Sequence, residues 1–480
     1  MLLALMLTTG LIAIDSTILA TAVPSVVREL GAFEQFPWLF SAYMLAQAVS
    51  VPIYSKLADT IGRKPIILVG VGLFLLGSIL CGLAWNMTAL IAFRVVQGLG
   101  AGAVAPMSMT IVGDIYTVEE RAQVQGYIAS VWAISSVVGP ALGGVFSQFV
   151  SWRWIFLVNI PLCLIAGWSL MRAYHEHVSH REHKIDYLGA TTLTIGLTAL
   201  ILALLQGGNG WPWLSWPSLA TMGLGIVALA VFPLVERRAA EPILDLSILA
   251  RPLIRTTTFI SLGVGALLIG VTSYVPTYLE NSIGMTPLIS GAAVAALTLG
   301  WPLAASNSGR LYMKHGFRLT VLLGAGIAIL GSAGLAATGH WPSPVSVAVT
   351  CFVIGFGLGW TAAPSLIAAQ ASVDWNERAV VTGVNVFART AGSAVGVAIF
   401  GAIANNLIAS GAGEHDYATI VNASTWVFIA AAVTAVTMLL AGFAMPRGKV
   451  DDPAYAPQAV AYEPDEASPV AGTVSQSSTT

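Results

Sequence analysis

The sequence predicts an all-α polytopic membrane protein of fourteen spans, built as two six-helix halves with two further helices inserted between them. Three observations carry that prediction. Of 480 residues, 56% are hydrophobic and only 9% charged, whereas soluble domains carry about 25% charged residues. Mean hydropathy is +0.80, and apolar runs long enough to cross a bilayer recur along the whole chain. The first and last thirds also resemble each other at an offset of about 255 residues.

Apolar stretches broken by charged or Gly/Pro-rich punctuation place the spans near 2–24, 36–55, 66–84, 88–112, 124–147, 153–172, 188–205, 217–234, 257–279, 288–307, 319–338, 345–367, 380–407 and 423–444. The first run starts at Met1, is too long for a signal-peptide core and has no basic segment before it, so it reads as a retained helix. This divides the chain into a first half (1–172), a connector with the two inserted helices (173–256), a second half (257–445) and a tail (446–480). The tail is rich in Pro, Ser, Thr and acids without apolar periodicity, and is expected to be disordered. Cys81, Cys163 and Cys351 lie inside apolar runs and read as small core residues, not a disulfide framework. A net charge of −2 supplies no basic field for nucleic acid.

Charge asymmetry orients the spans. Of the 21 basic residues, 17 fall on even-numbered connections or the tail, including Lys56, Arg63, Lys64, Arg121, Arg237, Arg238, Arg310, Lys314, Arg318 and Arg378. Only Arg28 and Arg153 fall on the opposite loops, which places both termini in the cytoplasm. Trp152, Trp154, Trp211, Trp213 and Trp216 sit in the outer loops, where an interfacial aromatic belt is expected.

The internal repeat is specific. Lys56, Leu57, Gly62 and Lys64 match Arg310, Leu311, Gly316 and Arg318; Gly98, Gly100 and Gly102 match Gly355, Gly357 and Gly359. Glu120, Arg121, Ala122, Gly126, Gly139 and Gly144 match Glu377, Arg378, Ala379, Gly383, Gly396 and Gly401. Spans one to six thus correspond to nine to fourteen. Parallel halves facing a midplane site suit alternating access.

Three charges fall well inside the spans: Asp15, Arg94 and Arg389. An acid at mid-membrane costs about 2.5–3.5 kcal/mol on insertion scales, so Asp15 is a functional candidate by default. Asp15 and Arg94 lie at depths within reach of each other. Burial favours the protonated acid and the guanidinium favours the ionised one, so Asp15 is either a protonation site or half of a static ion pair. Arg389 orients an anionic or carbonyl-bearing ligand, neutralises Asp15 in one state, or is satisfied by carbonyls.

Five motifs occur in order: Lys56-Leu57-Ala58-Asp59-Thr60-Ile61-Gly62-Arg63-Lys64-Pro65; Ile14-Asp15-Ser16-Thr17 with Pro24; Arg94-Val95-Val96-Gln97-Gly98-Leu99-Gly100; Gly139-Pro140-Ala141-Leu142-Gly143-Gly144; and Trp152-Arg153-Trp154-Ile155-Phe156 with Asn159-Ile160-Pro161. Together they resemble the major facilitator superfamily, in particular its fourteen-span drug:proton antiporters of the EmrB/QacA type, over about residues 1–445. Ser55 stands where the loop motif usually begins with glycine. The resemblance implies a major facilitator fold and efflux of hydrophobic or cationic small molecules from a monomer in a bacterial inner membrane. It implies a proton gradient as driving force, with no cofactor. It assigns proton coupling to Asp15 and Arg94, and a conformational latch to Asp59, Gly62, Arg63, Lys64 and Asp114. It assigns a helix bend to Gly139, Pro140, Gly143 and Gly144. Polar and aromatic residues expected to line a cavity are Tyr43, Gln47, Gln97, Trp132, Trp301, Asn307, Asn385 and Phe387, with Arg389.

Other chemistries fail on spacing. His175-Glu176-His177-Val178-Ser179 lacks the second histidine of a zincin, so the His175–His183 stretch reads as a solvated connector. Gly98–Gly102 lies mid-helix and has Ala103 where a dinucleotide loop needs glycine, and no Walker lysine loop occurs. No paired acids or nucleophile–base spacing suggest an enzyme. A dedicated exporter of one amphiphile, or a sensor on a transporter scaffold, are the competing readings.

Overall fold

In a bilayer the backbone must satisfy its own hydrogen bonds, and every expected span is helical. The computed structural model describes residues 1–31, 35, 38–176, 186–207, 211–239, 242, 246–339, 343–410 and 417–447. The helices are α1 (Leu2–Leu30), α2 (Trp38–Ile61), α3 (Arg63–Gly82), α4 (Met87–Ile115), α5 (Val118–Phe149), α6 (Trp154–Leu157), α7 (Asn159–Ala173), α8 (Tyr187–Gln206), α9 (Trp216–Glu236), α10 (Leu246–Ala250), α11 (Pro252–Ile283), α12 (Pro287–His315), α13 (Phe317–Ala337), α14 (Pro344–Ala371), α15 (Trp375–Ser410) and α16 (Tyr417–Ala444).

Thirteen spans among the described residues are long and apolar enough to cross a membrane. The exception among the fourteen expected is α2, equally long but carrying Ser41, Tyr43, Gln47, Ser50, Pro52, Tyr54 and Ser55. Several helices overrun the apolar runs that predicted them, because caps rather than hydropathy set their ends. α5 starts at Val118, where Thr117 and Glu120 form a reciprocal capping box. The sixth span is broken after Leu157; Pro161 has no N–H to return to that turn.

The packing obeys the repeat. α4 lies against α2 and α3, α5 against α1, and α7 against α1 and α3; α14, α15 and α16 repeat these contacts with α12, α13 and α11. The two groups meet through α5–α12 and α2–α15, two contacts that the repeat exchanges. Matching glycines make the close approaches. A Cβ on Gly100 would lie 2.4 Å from the Phe74 nitrogen of α3, and one on Gly357 would lie 2.5 Å from the Ala328 nitrogen of α13. Gly98 and Gly102 do the same toward α2, as Gly355 and Gly359 do toward α12. The inserted α8 and α9 pack on each other, with α8 also touching α2 and α15. All three cysteines are buried and free.

The tryptophan belt needs one correction. Trp152 is buried, and its indole N–H donates to Glu29 Oε2 at 2.7 Å. Arg153 pairs with the other oxygen of Glu29. Trp154 and Trp216 are the exposed members. The Arg153 and Trp152 hydrogen bonds hold the Glu29 carboxyl below its ordinary range, against the opposing effect of burial. A lowered carboxyl contributes stability above its unfolded pKa of about 4.3, and loses it as pH falls through its lowered folded value. Glu29→Gln is therefore expected to reduce the thermal midpoint at pH 7. The gap to wild type should close progressively in detergent melts below about pH 4.3; a gap constant down to pH 3 would contradict this.

Candidate functional site

Asp15 lies on α1 and Arg94 on α4, each 1% exposed. Arg94 Nη1 donates to Asp15 Oδ2 at 2.7 Å and to Gln97 Oε1 at 2.6 Å. Its Nε donates to the Leu39 carbonyl at 3.1 Å, and its guanidinium sits 4.1 Å from the Tyr43 ring centroid. Asp15 Oδ1 accepts from Gln97 Nε2 at 2.7 Å and from Asn159 Nδ2 at 3.2 Å. Both carboxamides also donate to Ser78 Oγ, at 2.9 and 3.4 Å. The carboxylate of α1 is therefore held by α4 and α7, and Ser78 brings in α3 behind the two carboxamides.

Helical periodicity explains part of this set. Arg94 and Gln97 are three apart and share a face of α4. Asn159 is delivered by the break between α6 and α7, which puts it at the first turn of α7. Asn159 stands in one of the sequence motifs without a role assigned to it, and Ser78 has no signal beyond being a polar side chain in an apolar run. Of the residues expected at a cavity, Gln97 and Tyr43 belong to the acid's surroundings: Gln97 donates to Asp15, and the Tyr43 ring lies under the Arg94 guanidinium.

The remaining cavity candidates differ in their surroundings. Trp132 and Asn307 are exposed, and Asn307 bonds its own helix at the Leu303 carbonyl. Asn385 is buried, accepting from Ser261 Oγ at 2.8 Å and donating to the Val381 carbonyl. Phe387 packs on a cluster containing Ala48, Val49, Leu193 and Leu197. Gln47, Trp301 and Arg389 are half-buried. On α5, Gly139 and Gly143 face α1 so closely that a Cβ would lie 2.0 Å from Thr17 Oγ1 and 2.2 Å from Thr21 Oγ1. Thr17 in turn donates to the Ser135 carbonyl at 2.9 Å. Pro140 lies within this helix, and a Cβ on Gly144 would meet nothing within 4 Å.

A second charged cluster joins the two halves at the basic end. Gly62 turns the chain between α2 and α3 at φ 101°, a region glycine alone enters easily. The fully buried Arg63 donates to Asp59 Oδ1 at 2.8 Å, to Asp114 Oδ2 at 3.1 Å and to the Trp375 carbonyl. Its guanidinium lies 3.4 Å from the Trp375 ring centroid. Asp59 accepts the backbone N–H groups of Ala379 and Val380, at 3.1 and 2.8 Å, near the start of α15. An acid is favoured there by the helix dipole. Asp114 Oδ1 accepts from Arg378 at 2.7 Å.

Lys64 points elsewhere. It donates within the first half, to the Met171 and Tyr174 carbonyls, so it does not bridge the halves as a latch residue would. Glu176, unsuspected from sequence, accepts the N–H groups of Arg63 and Lys64 at 2.9 and 2.8 Å. Burial, with the Glu176 charge adding to it, pushes the nearby Tyr174 hydroxyl up. His177, His180 and His183 lie outside the described residues. No group of three metal-ligating side chains occurs among the described ones.

Two repeated helical bundles with an ion-paired acid deep inside one, bridged by charges at the basic end, define a membrane transporter. The sequence comparison makes this specific: the model of the Major Facilitator Superfamily matches residues 5–397, and the chain belongs to that superfamily. Multidrug resistance protein 3 of Bacillus subtilis is 32% identical over 397 residues, 82% of this chain and 77% of that protein. The multidrug transporter protein MdtP of the same organism is 33% identical over 412 residues, 83% of this chain and 75% of its own. Efflux pump FUS6 of Gibberella moniliformis is 32% identical over 437 residues, 87% and 76% of the two chains. Among solved structures, the human organic anion transporter MFSD10 shares the fold at TM-score 0.64 and 15% identity, over 90% of this chain and 98% of its own. A bacterial homologue of the iron transporter ferroportin shares it at 0.61 and 13%, over 91% and 98%.

If Arg63 holds the halves together, Arg63→Gln separates them. Spin labels on Ile61→Cys and His315→Cys, both exposed at the basic end, are expected to show longer interlabel distances in that background. An unchanged distance distribution would mean that the cluster does not hold this end closed.

Proposed function

We propose that this transporter exports hydrophobic small molecules in exchange for protons by alternating access, with Asp15 as the protonated group. Its relatives are named as multidrug transporters and efflux pumps, which supports the direction of transport and an apolar cargo. In this reading α2 is the fourteenth span, its polar residues being tolerated because it packs among α4, α8 and α15. The basic end faces a bacterial cytoplasm, following the distribution of lysine and arginine. Asp59, Arg63 and Asp114 clasp that end shut while the opposite end opens.

The observation that carries the proposal is the Asp15–Arg94 pair, buried where a charge needs a reason to persist. Neutralising Asp15 does not strand the arginine. Arg94 keeps the Leu39 carbonyl, Gln97 Oε1 and the Tyr43 ring, so protonation costs less than in a pair without other partners. Protonation from outside releases Asp15 from Arg94, and loosens a junction of α1 with α3, α4 and α7. Deprotonation toward the cytoplasm restores it. Each inward proton gains about 2.3 kcal/mol per 100 mV of membrane potential.

Efflux of a small panel of neutral, anionic and cationic fluorescent dyes from proteoliposomes with an imposed pH gradient tests this, read on whichever dye the wild type exports. Asp15→Asn should abolish gradient-driven transport, a loss of at least tenfold, while leaving dye binding within a few-fold of wild type. Normal gradient-driven efflux by that variant would refute proton coupling at Asp15.

A further inference from the structure

Three charged side chains lie deep in the spans, and two of them neutralise each other. Arg389 is the third. Among the described residues it has no ion pair, no side-chain hydrogen bond and no aromatic ring beneath its guanidinium. It is half-buried on α15, about 21 Å along the helix from Trp375 and about 32 Å from Ser410. Both distances exceed the reach of an arginine side chain, so it cannot extend to either end of its helix.

Its place is held firmly by the backbone. α15 lies so close to α11 here that a Cβ on Gly265 would be 1.8 Å from the Arg389 carbonyl oxygen. Ser393, one turn on, donates to the Gly265 carbonyl at 3.1 Å. One turn back, Asn385 is committed to Ser261 and to the Val381 carbonyl. The polar neighbours along this stripe are occupied, and the five N–H donors of Arg389 remain available. No acid lies deep in any span of the second half to meet them; Glu280 lies near the far end of α11 and accepts from Ser290.

We infer that Arg389 receives an anionic head group on the exported molecule, so that the cargo is an amphiphile bearing a carboxylate, sulfonate or phosphate on an apolar body. This rests on the export reading above and replaces the cationic cargo that the sequence suggested. A guanidinium fork matches such oxyanions with two parallel hydrogen bonds. A lipophilic cation would instead meet an uncompensated positive charge. It would also find Asp15 already engaged by Arg94, Gln97 and Asn159.

The test uses the full chain in phosphatidylcholine nanodiscs, where no anionic lipid competes. Three dansyl-labelled probes share one undecyl chain and end in a carboxylate, a methyl ester or a trimethylammonium group. Wild type is expected to bind the carboxylate at least tenfold more tightly than the ester or the cation. Arg389→Gln should bring carboxylate and ester to within twofold of each other, whereas Arg389→Lys, which keeps the charge and guards against a folding defect, should retain part of the preference. Absence of a carboxylate preference in wild type, or a preference that survives Arg389→Gln, overturns the assignment. A preference left intact in Arg389→Gln together with altered pH dependence of transport would instead assign Arg389 to Asp15 in another state. Binding is read without a gradient, so failure of proton-driven export with the carboxylate preference intact would count against antiport alone.

Discussion

A bilayer tolerates a charge only where the protein replaces the water that charge has lost, and the surroundings of Asp15 do this with a guanidinium and two carboxamides. Because those donors come from α4 and α7, and both carboxamides also rest on Ser78 of α3, one side chain ties together α1, α3, α4 and α7. Removing one partner of a buried ion pair typically costs about 3–5 kcal/mol. The first half thus depends on this cluster for its internal arrangement, and the same cluster is the point at which a proton would alter that arrangement.

The scaffold is symmetric and the chemistry is not. Gly62 and Gly316 turn the chain at positive φ in equivalent loops, and the glycines of α4 and α14 admit their neighbours in the same way. Yet in the second half Met313 and Phe317 stand where Asp59 and Arg63 stand in the first. There, Tyr312 and Phe317 stack at 4.6 Å in place of an ion pair. Packing helices into a bundle imposes the same close approaches on both copies. A clasp needs only one set of charges, placed against the start of one opposing helix, and Cys351 opposite Arg94 shows that the buried pair is likewise single.

Much of the site was legible in the sequence because charges in apolar runs are conspicuous. Asp15 and Arg94 stand out on composition alone, and the loop around Asp59 and Arg63 on its charge alternation. What that reading missed has one physical origin: a neutral polar side chain, or an acid in a connector where charge is ordinary, carries no such signal. Ser78, Asn159 and Glu176 acquire their roles through contacts between segments far apart in the chain. Gln97 and Tyr43 looked like cavity residues for the same reason, since a glutamine or tyrosine inside a span reads alike whether it faces a void or a neighbouring acid. Trp152 reads as interfacial on sequence alone, yet its indole N–H is committed to Glu29.

Hydropathy, charge asymmetry and the internal repeat by themselves determined that this chain is a helical membrane protein with duplicated halves, because lipid enforces length, apolarity and helical hydrogen bonding residue by residue. Tertiary structure alone decided which charges are answered and which is left open. Asp15 and Arg94 are 79 positions apart, Asp59 and Val380 are 321 apart, and Arg389 is distinguished only by what does not surround it. Electrostatic compensation depends on distance through space, and no local pattern of residues encodes it.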